Sequence, residues 1–131
     1  MIKKISSAKV GAFGEKKCAQ QLKRNGYKIL GRNCTIGHLE ADIIATNKTH
    51  IIFVEVKTRR SDLNNTSRPA SAVNKDKRSN LISFASSYIK SLPEKHIKKQ
   101  MRIDVCEILV FQKGNRLKVK DINYIKNAIS R

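Results

Sequence analysis

Tryptophan is absent from this 131-residue chain, aromatic residues make up only 5%, and 10 acidic residues stand against 28 lysines and arginines. So few aromatics leave little material for a platform on which single-stranded bases could stack. The three cysteines, Cys18, Cys34 and Cys106, are odd in number, widely spaced and without a Cys-x-x-Cys pair. That excludes a zinc ribbon and a disulfide framework and fits a reduced, cytoplasmic compartment. Cys34 with His38 makes half of a zinc site at most, since no second half is present. No segment approaches the roughly 20 apolar residues that cross a bilayer. The opening Met1-Ile2-Lys3-Lys4-Ile5-Ser6 is basic but lacks the apolar run of a signal peptide. Internal repeats and low-complexity linkers are also missing, so residues 1–131 read as one domain. A chain of this length buries about two thirds of its unfolded surface and needs no disulfide or metal to fold.

What the chain does have is cationic charge. A formal net charge of +18 points first to nucleic acid and second to an anionic membrane surface. The chain is also rich in Ile and Asn, a bias that A/T-rich codon usage produces together with Lys. Charge alone therefore establishes an affinity for polyanions and nothing sharper.

The acidic residues are few enough for their placement to matter. Glu40 and Asp42 are followed, after a polar Asn47-Lys48-Thr49 break, by Glu55-Val56-Lys57. Leu39–Thr46 and His50–Lys57 both read as strands, on which residues two apart share a face. If Thr46 pairs with Ile51, the antiparallel register sets Asp42 opposite Glu55 and Glu40 opposite Lys57. Opposed side chains have Cβ atoms about 5 Å apart. Two carboxylates at that range repel by roughly 3 kcal/mol at an effective dielectric near 20. A hard divalent cation such as Mg2+, or Mn2+, answers that repulsion with carboxylate and carbonyl ligands. The plainer alternative is a pair of cross-strand salt bridges on a solvated face. Against it stands Ile51-Ile52-Phe53-Val54, apolar on both faces as in a covered central strand.

Around this hairpin the pattern gives an element order α-β-β-β-α-β followed by a β-α tail. The first helix runs from about Ser7 to Asn25 and is closed by Gly26. Its apolar stripe gathers Gly11, Cys18, Ala19 and Leu22 around Glu15, where a carboxylate is out of place. The small residues Gly11 and Gly14 allow close approach of another element. Tyr27–Cys34 reads as a first strand, and Thr58–Asn74 as a long polar segment without periodicity. Lys75–Lys90 repeats apolar residues at Leu81, Phe84, Ala85, Tyr88 and Ile89, a strong helical signal. Its first turn carries Lys75, Lys77 and Arg78, cations that the helix dipole disfavours there and a bound phosphate would relieve. Met101–Phe111 and Arg116–Lys120 read as strands about a Lys113-Gly114-Asn115 turn, and Ile122, Ile125 and Ile129 mark a last helix. The strand–helix–strand step into Met101–Phe111 should be parallel and right-handed. The expected architecture is thus α/β, a mixed central sheet flanked by helices on both faces.

Gly11-x-x-Gly14-Glu15-x-x-x-Ala19 and Gly26-Tyr27-x-Ile29-Leu30-x-Arg32-Asn33 resemble the opening of the YraN family of predicted endonucleases. Glu40-x-Asp42-Ile43-Ile44, Phe53-Val54-Glu55-Val56-Lys57-Thr58-Arg59, Ala72-Val73 with Lys77, and Arg102-Ile103-Asp104-Val105 continue the likeness in order. Leu39 and Ala41 depart from it, where the family usually has a glycine and an aliphatic residue. The resemblance implies a restriction-endonuclease-like, PD-(D/E)XK core of the kind seen in Holliday-junction resolvases. On that basis Asp42 matches the lone aspartate, Glu55-x-Lys57 the (D/E)-x-K pair, and Glu15 the helical glutamate. The implied activity is Mg2+-dependent hydrolysis of phosphodiester bonds in nucleic acid, DNA favoured over RNA and branched or structured DNA above all. Asp42, Glu55 and the Val56 carbonyl would hold the metal, Lys57 would act beside the attacking water, and Glu15 would complete the shell. Arg59, Arg60, Lys75, Lys77 and Arg78 are the expected phosphate contacts. Resolvase-like nucleases commonly work as dimers, which makes a homodimer an expectation too. The competing expectation is a basic nucleic-acid-binding protein that keeps the fold without cleavage.

Overall fold

Residues 2–61, 75–92 and 98–128 are described by the computed structural model, the side chains of residues 75–78 excepted. Helix α1 spans Ser7–Arg24, capped where the Ser6 hydroxyl accepts from the Lys9 amide, and it ends at Asn25 with Gly26 at φ 87°. Positive φ there is the left-handed turn that only glycine enters without cost. Val10, Cys18, Ala19 and Leu22 form its buried stripe, and Glu15 is buried among them. Strands β1 (Lys28–Ile36), β2 (Leu39–Thr46) and β3 (His50–Arg60) follow as a meander, then α2 (Lys75–Lys90), β4 (Gln100–Lys113) and β5 (Arg116–Ile125).

The five strands lie in sequential order, β1-β2-β3-β4-β5. All neighbours are antiparallel except β3 and β4, which run parallel over His50–Gln100 to Arg60–Val110. A parallel pair needs a crossover segment, and α2 lies within it. One face of the sheet packs Ile43, Ala45, Ile52, Val54, Cys106, Ile108 and Val110 against α1. The other packs Ala41, Ile44, Ile51, Phe53, Ile103 and Val105 against Leu81, Phe84 and Ala85 of α2. Phe53, Phe84 and Tyr88 meet there with ring centroids 5.7–6.1 Å apart, aromatic pairs that add about 0.5–1.5 kcal/mol each beyond burial. With Ile51–Val54 fully buried, β3 is a central strand covered on both faces, as its sequence required.

A third buried contact joins the end of the chain to its middle. Asp104, fully buried, takes Arg102 at 2.8 Å, the Tyr124 hydroxyl at 2.6 Å and the Asn127 amide at 2.8 Å. Arg102 also donates to the Tyr27 hydroxyl at 2.9 Å. Every charge in this network is partnered, the condition under which a buried pair is tolerable. Burial and the Asp104 carboxylate together push the Tyr124 phenol up from its ordinary value.

Two expected elements differ. The helix marked by Ile122, Ile125 and Ile129 is not formed by its described residues, because β5 continues to Ile125 and is followed by a turn. Ile122 packs with the α1-side core and Ile125 with the α2-side core, so their odd spacing marks alternate faces of a strand, and β5 also carries a register shift opposite Leu109 and Val110. The shift inserts Lys120 as an extra residue, so Leu117 and Val119 before it and Ile122 and Tyr124 after it all reach the α1-side core. Second, Thr58–Arg60 belong to β3 rather than to a polar loop. Of that segment, residues 62–74 lie outside the described part.

Candidate functional site

The approach of α1 to β3 sets the site. A Cβ built on Gly14 would overlap the Thr58 hydroxyl, so glycine is what lets the helix sit this close. The next residue, Glu15, is thereby carried into a cavity of about 640 Å3 that it shares with Asp42, Val56, Thr58, Arg59 and Arg60. Gly11 lines the same cavity with open space beside it.

Glu15 is 9% exposed and is held from β1. Asn33 Nδ2 donates to Glu15 Oε1 at 2.9 Å, and Arg32 Nε to the same oxygen at 3.3 Å. Burial pushes the Glu15 carboxyl up from its ordinary value, and the neighbouring Asp42 carboxylate pushes it further; Arg32 and Asn33 partly offset both. Two carboxylates thus face one cavity and repel.

Asp42 is placed by a break in the strand pattern. The β2–β3 register is Thr46–Ile51 through Ile43–Val54, as the sequence indicates, and ends there. Beyond it the Val56 amide donates to Asp42 Oδ2 at 2.8 Å, a side chain standing where the ladder would continue. Strand parity also fails. Ala41 packs with the α2-side core and Ile43, two residues on, with the α1-side core. Asn33, at φ 51°, lies between the register pairs Arg32–Ile43 and Cys34–Ala41. Asparagine is among the few residues that take this conformation readily.

The expected pairing of Asp42 with Glu55, and of Glu40 with Lys57, therefore forms no part of the ladder. Glu40 is exposed and pairs with Thr35 of β1. Along β3 the alternation is regular: Val54 and Val56 pack toward α1, Ile51 and Phe53 toward α2. Next along the strand, Lys57 is in register with Glu107 of β4. Glu55 is 5% exposed. Because β2 leaves β3 after Ile43, the sheet is open along β3 beside residues 55–57. The cavity brings Glu15, Asp42 and Val56 together, and Glu55 and Lys57 flank Val56 on β3.

The expected phosphate contacts also divide. Arg59 lines the cavity. Arg60 lines it too, but its guanidinium donates to the Ile5 carbonyl and to Gln112 Oε1, each at 3.0 Å. Gln112 in turn accepts from the Ile5 amide at 2.8 Å and donates to the Lys3 carbonyl at 2.7 Å. Arg60 is thus a clamp for the N-terminal strap, residues 2–6. Lys75, Lys77 and Arg78 fall in the first turn of α2, and their side chains lie outside the described part. Arg32 and Asn33 are the residues the motif reading left without a role. An asparagine inside a strand is the signal that marks the irregularity.

A hard cation is chemically suited to the cavity. Mg2+ is commonly bound through one or two carboxylates and keeps several waters, and two mutually repelling carboxylates are what Glu15 and Asp42 supply. Among the described residues no group of three His, Cys, Asp or Glu side chains converges as a metal centre. None of the described helices is long and apolar enough to cross a membrane.

The sequence profile described as "Uncharacterised protein family UPF0102" matches residues 14–108. A UPF0102 protein of Caldanaerobacter subterraneus is 41% identical over 129 residues, covering 97% of this chain and 99% of that one. One from Clostridium acetobutylicum is 40% identical over 92% of this chain and 93% of its own, and one from Acetivibrio thermocellus is 40% identical over 90% and 88%. The matched span runs from Gly14 to Ile108, within β4, so it includes Glu15, Asn33, Asp42 and Glu55-Val56-Lys57.

Proposed function

The chain belongs to the uncharacterised protein family UPF0102, the YraN family, and within it we propose a Mg2+-dependent endonuclease acting on phosphodiester bonds of nucleic acid, branched or structured DNA above all. The observation that carries this reading is the pair Glu15 and Asp42 in one cavity rimmed by Arg59. Two carboxylates sharing a cavity with a cation are an arrangement that binds a hard metal on one side and a phosphate on the other.

Glu15 and Asp42 would hold the metal, with Val56, whose backbone Asp42 already fixes, offering its carbonyl. Bound there, Mg2+ or Mn2+ supplies Lewis acidity to the scissile phosphate and to an attacking water. Asn33 and Arg32 keep the Glu15 carboxylate in one orientation. Arg59 would receive a substrate phosphate. Glu55 and Lys57 would act at the opening that β2 leaves along β3: Glu55 as a further carboxylate, Lys57 orienting the water and offsetting charge on the phosphate.

The second reading, a nucleic-acid-binding protein without cleavage, draws on the absence of a three-carboxylate cluster among the described residues. One experiment separates them. The protein is incubated with branched, flapped, single-stranded and duplex DNA and RNA, with Mg2+ or Mn2+ against EDTA, alongside Lys57→Ala. The endonuclease cleaves a structured DNA only with metal, and Lys57→Ala lowers cleavage by about 100-fold or more while binding changes little. Metal-independent cleavage, or cleavage by Lys57→Ala at the parent rate, sinks the assignment. Binding with no cleavage under any metal leaves the second reading standing.

A further inference from the structure

On the far side of α1 from the carboxylate cavity, the strap, the outer flank of the helix and the β4–β5 turn enclose a groove. Ser7, Val10 and Gly11 of α1 face the cavity, whereas Lys9, Ala12, Phe13 and Lys16 face the groove. Lys3 and Lys4 of the strap continue it toward Gly114 and Asn115. Its described lining holds four lysines, Lys3, Lys4, Lys9 and Lys16, and not one Asp or Glu. The floor is apolar, from Ile5, Phe13 and Leu117.

We propose that this groove is a docking surface for the phosphodiester backbone of duplex DNA, a proposal that rests on the endonuclease reading and extends it to how the substrate is held. Three features support it. The lysines are not a loose tail, because Gln112 fixes the Lys3 carbonyl and the Ile5 amide while Arg60 fixes the Ile5 carbonyl. The clamp made by Arg60 thus positions cations that could receive phosphate. The first turn of α1 carries no acidic residue and does carry Lys9, an unfavourable charge at the positive end of a helix that a nearby phosphate relieves. And the groove is concave and of one sign, while the cavity across the helix carries the carboxylates, so one polyanion laid over α1 would meet binding and chemistry in succession. An anionic membrane suits it less well. Ile2 is the one large apolar side chain exposed among the described residues, too little to insert among acyl chains.

The test measures duplex DNA binding in EDTA, where cleavage plays no part, across a salt series. Lys3, Lys4, Lys9 and Lys16, all exposed, are changed together to Gln. A control variant changes Lys28, Lys48, Lys90 and Lys98, equally exposed and away from the groove, so that both lose the same charge. Each phosphate contact contributes about 0.9 to the log–log salt slope. The groove variant should lose about 3 units of slope and the control less than about 1, with thermal melts of both matching the parent. Equal losses in the two variants overturn the groove and leave the endonuclease reading intact. So does a groove variant that keeps the parent slope yet loses binding to phosphatidylserine vesicles. A parent that binds no DNA even at low salt overturns both.

Discussion

Asn33 does two separate things at one position: its backbone occupies the left-handed region at φ 51°, and its side chain donates to Glu15. The two can be separated by substitution. Asn33→Gly keeps the backbone tolerant and removes the donor, whereas Asn33→Ala removes the donor and adds strain of roughly 1–2 kcal/mol. Thermal melts should therefore rank parent above Gly above Ala, and an alanine variant more stable than the glycine one would contradict the strain. Glu15 makes a prediction in pH. Its folded-state pKa is raised by burial and by Asp42, so the stability linked to its proton is present below the unfolded value and lost as pH rises through the folded one. In EDTA, Glu15→Gln should gain on the parent in urea melts at about pH 8, and the gain should shrink near about pH 4. A gain that grows toward acid would mean that the Arg32 pair dominates. Glu15 itself was legible in the sequence because a carboxylate interrupts an apolar stripe. The partner of Asp42 was not, because counting along a strand assumes an unbroken pleat and β2 changes face between Ala41 and Ile43.

Between elements, the tightest approach is α1 on β3 at Gly14 and Thr58. Alanine suits a helix better than glycine by about 1 kcal/mol, yet Gly14→Ala should destabilise, by about 1–3 kcal/mol, because the new methyl meets Thr58. Thr58→Ala added to it should restore part of the loss, which double-mutant denaturation measures; independent, additive effects would place the cost elsewhere. Helices α1 and α2 were legible, marked by Gly26 and by the spacing from Leu81 to Ile89. The β2–β3 register was legible from the Asn47-Lys48-Thr49 break alone. The end of β5 was not, since Ile122 and Ile125 are apolar on opposite faces of the strand and their odd spacing imitates that of a helix.

For the molecule as a whole, the mixed sheet with a helix on each face follows from a meander leading into a crossover, and the sequence order already contained it. Binding of a divalent cation to the folded state alone raises its stability with occupancy. Mn2+ should raise the melting temperature of the parent, and Asp42→Asn with Glu15→Gln should abolish that rise without lowering the melting temperature of the metal-free protein. A metal-free double variant that melts well below the parent would recast the two carboxylates as structural. The strap adds a last consequence, one of time. Its anchors on Gln112 lie 107 and 109 residues further along the chain. As the chain leaves the ribosome, Glu15, Asp42 and Val56 can be assembled from α1 and the β1–β3 meander, and Arg60 of β3 can already take the Ile5 carbonyl, but the Lys3 carbonyl and the Ile5 amide have no Gln112 to meet until β4 is made. Residues 3–5 are thus among the last to be fully secured, so a nascent chain can gather its two carboxylates before its basic wall is held.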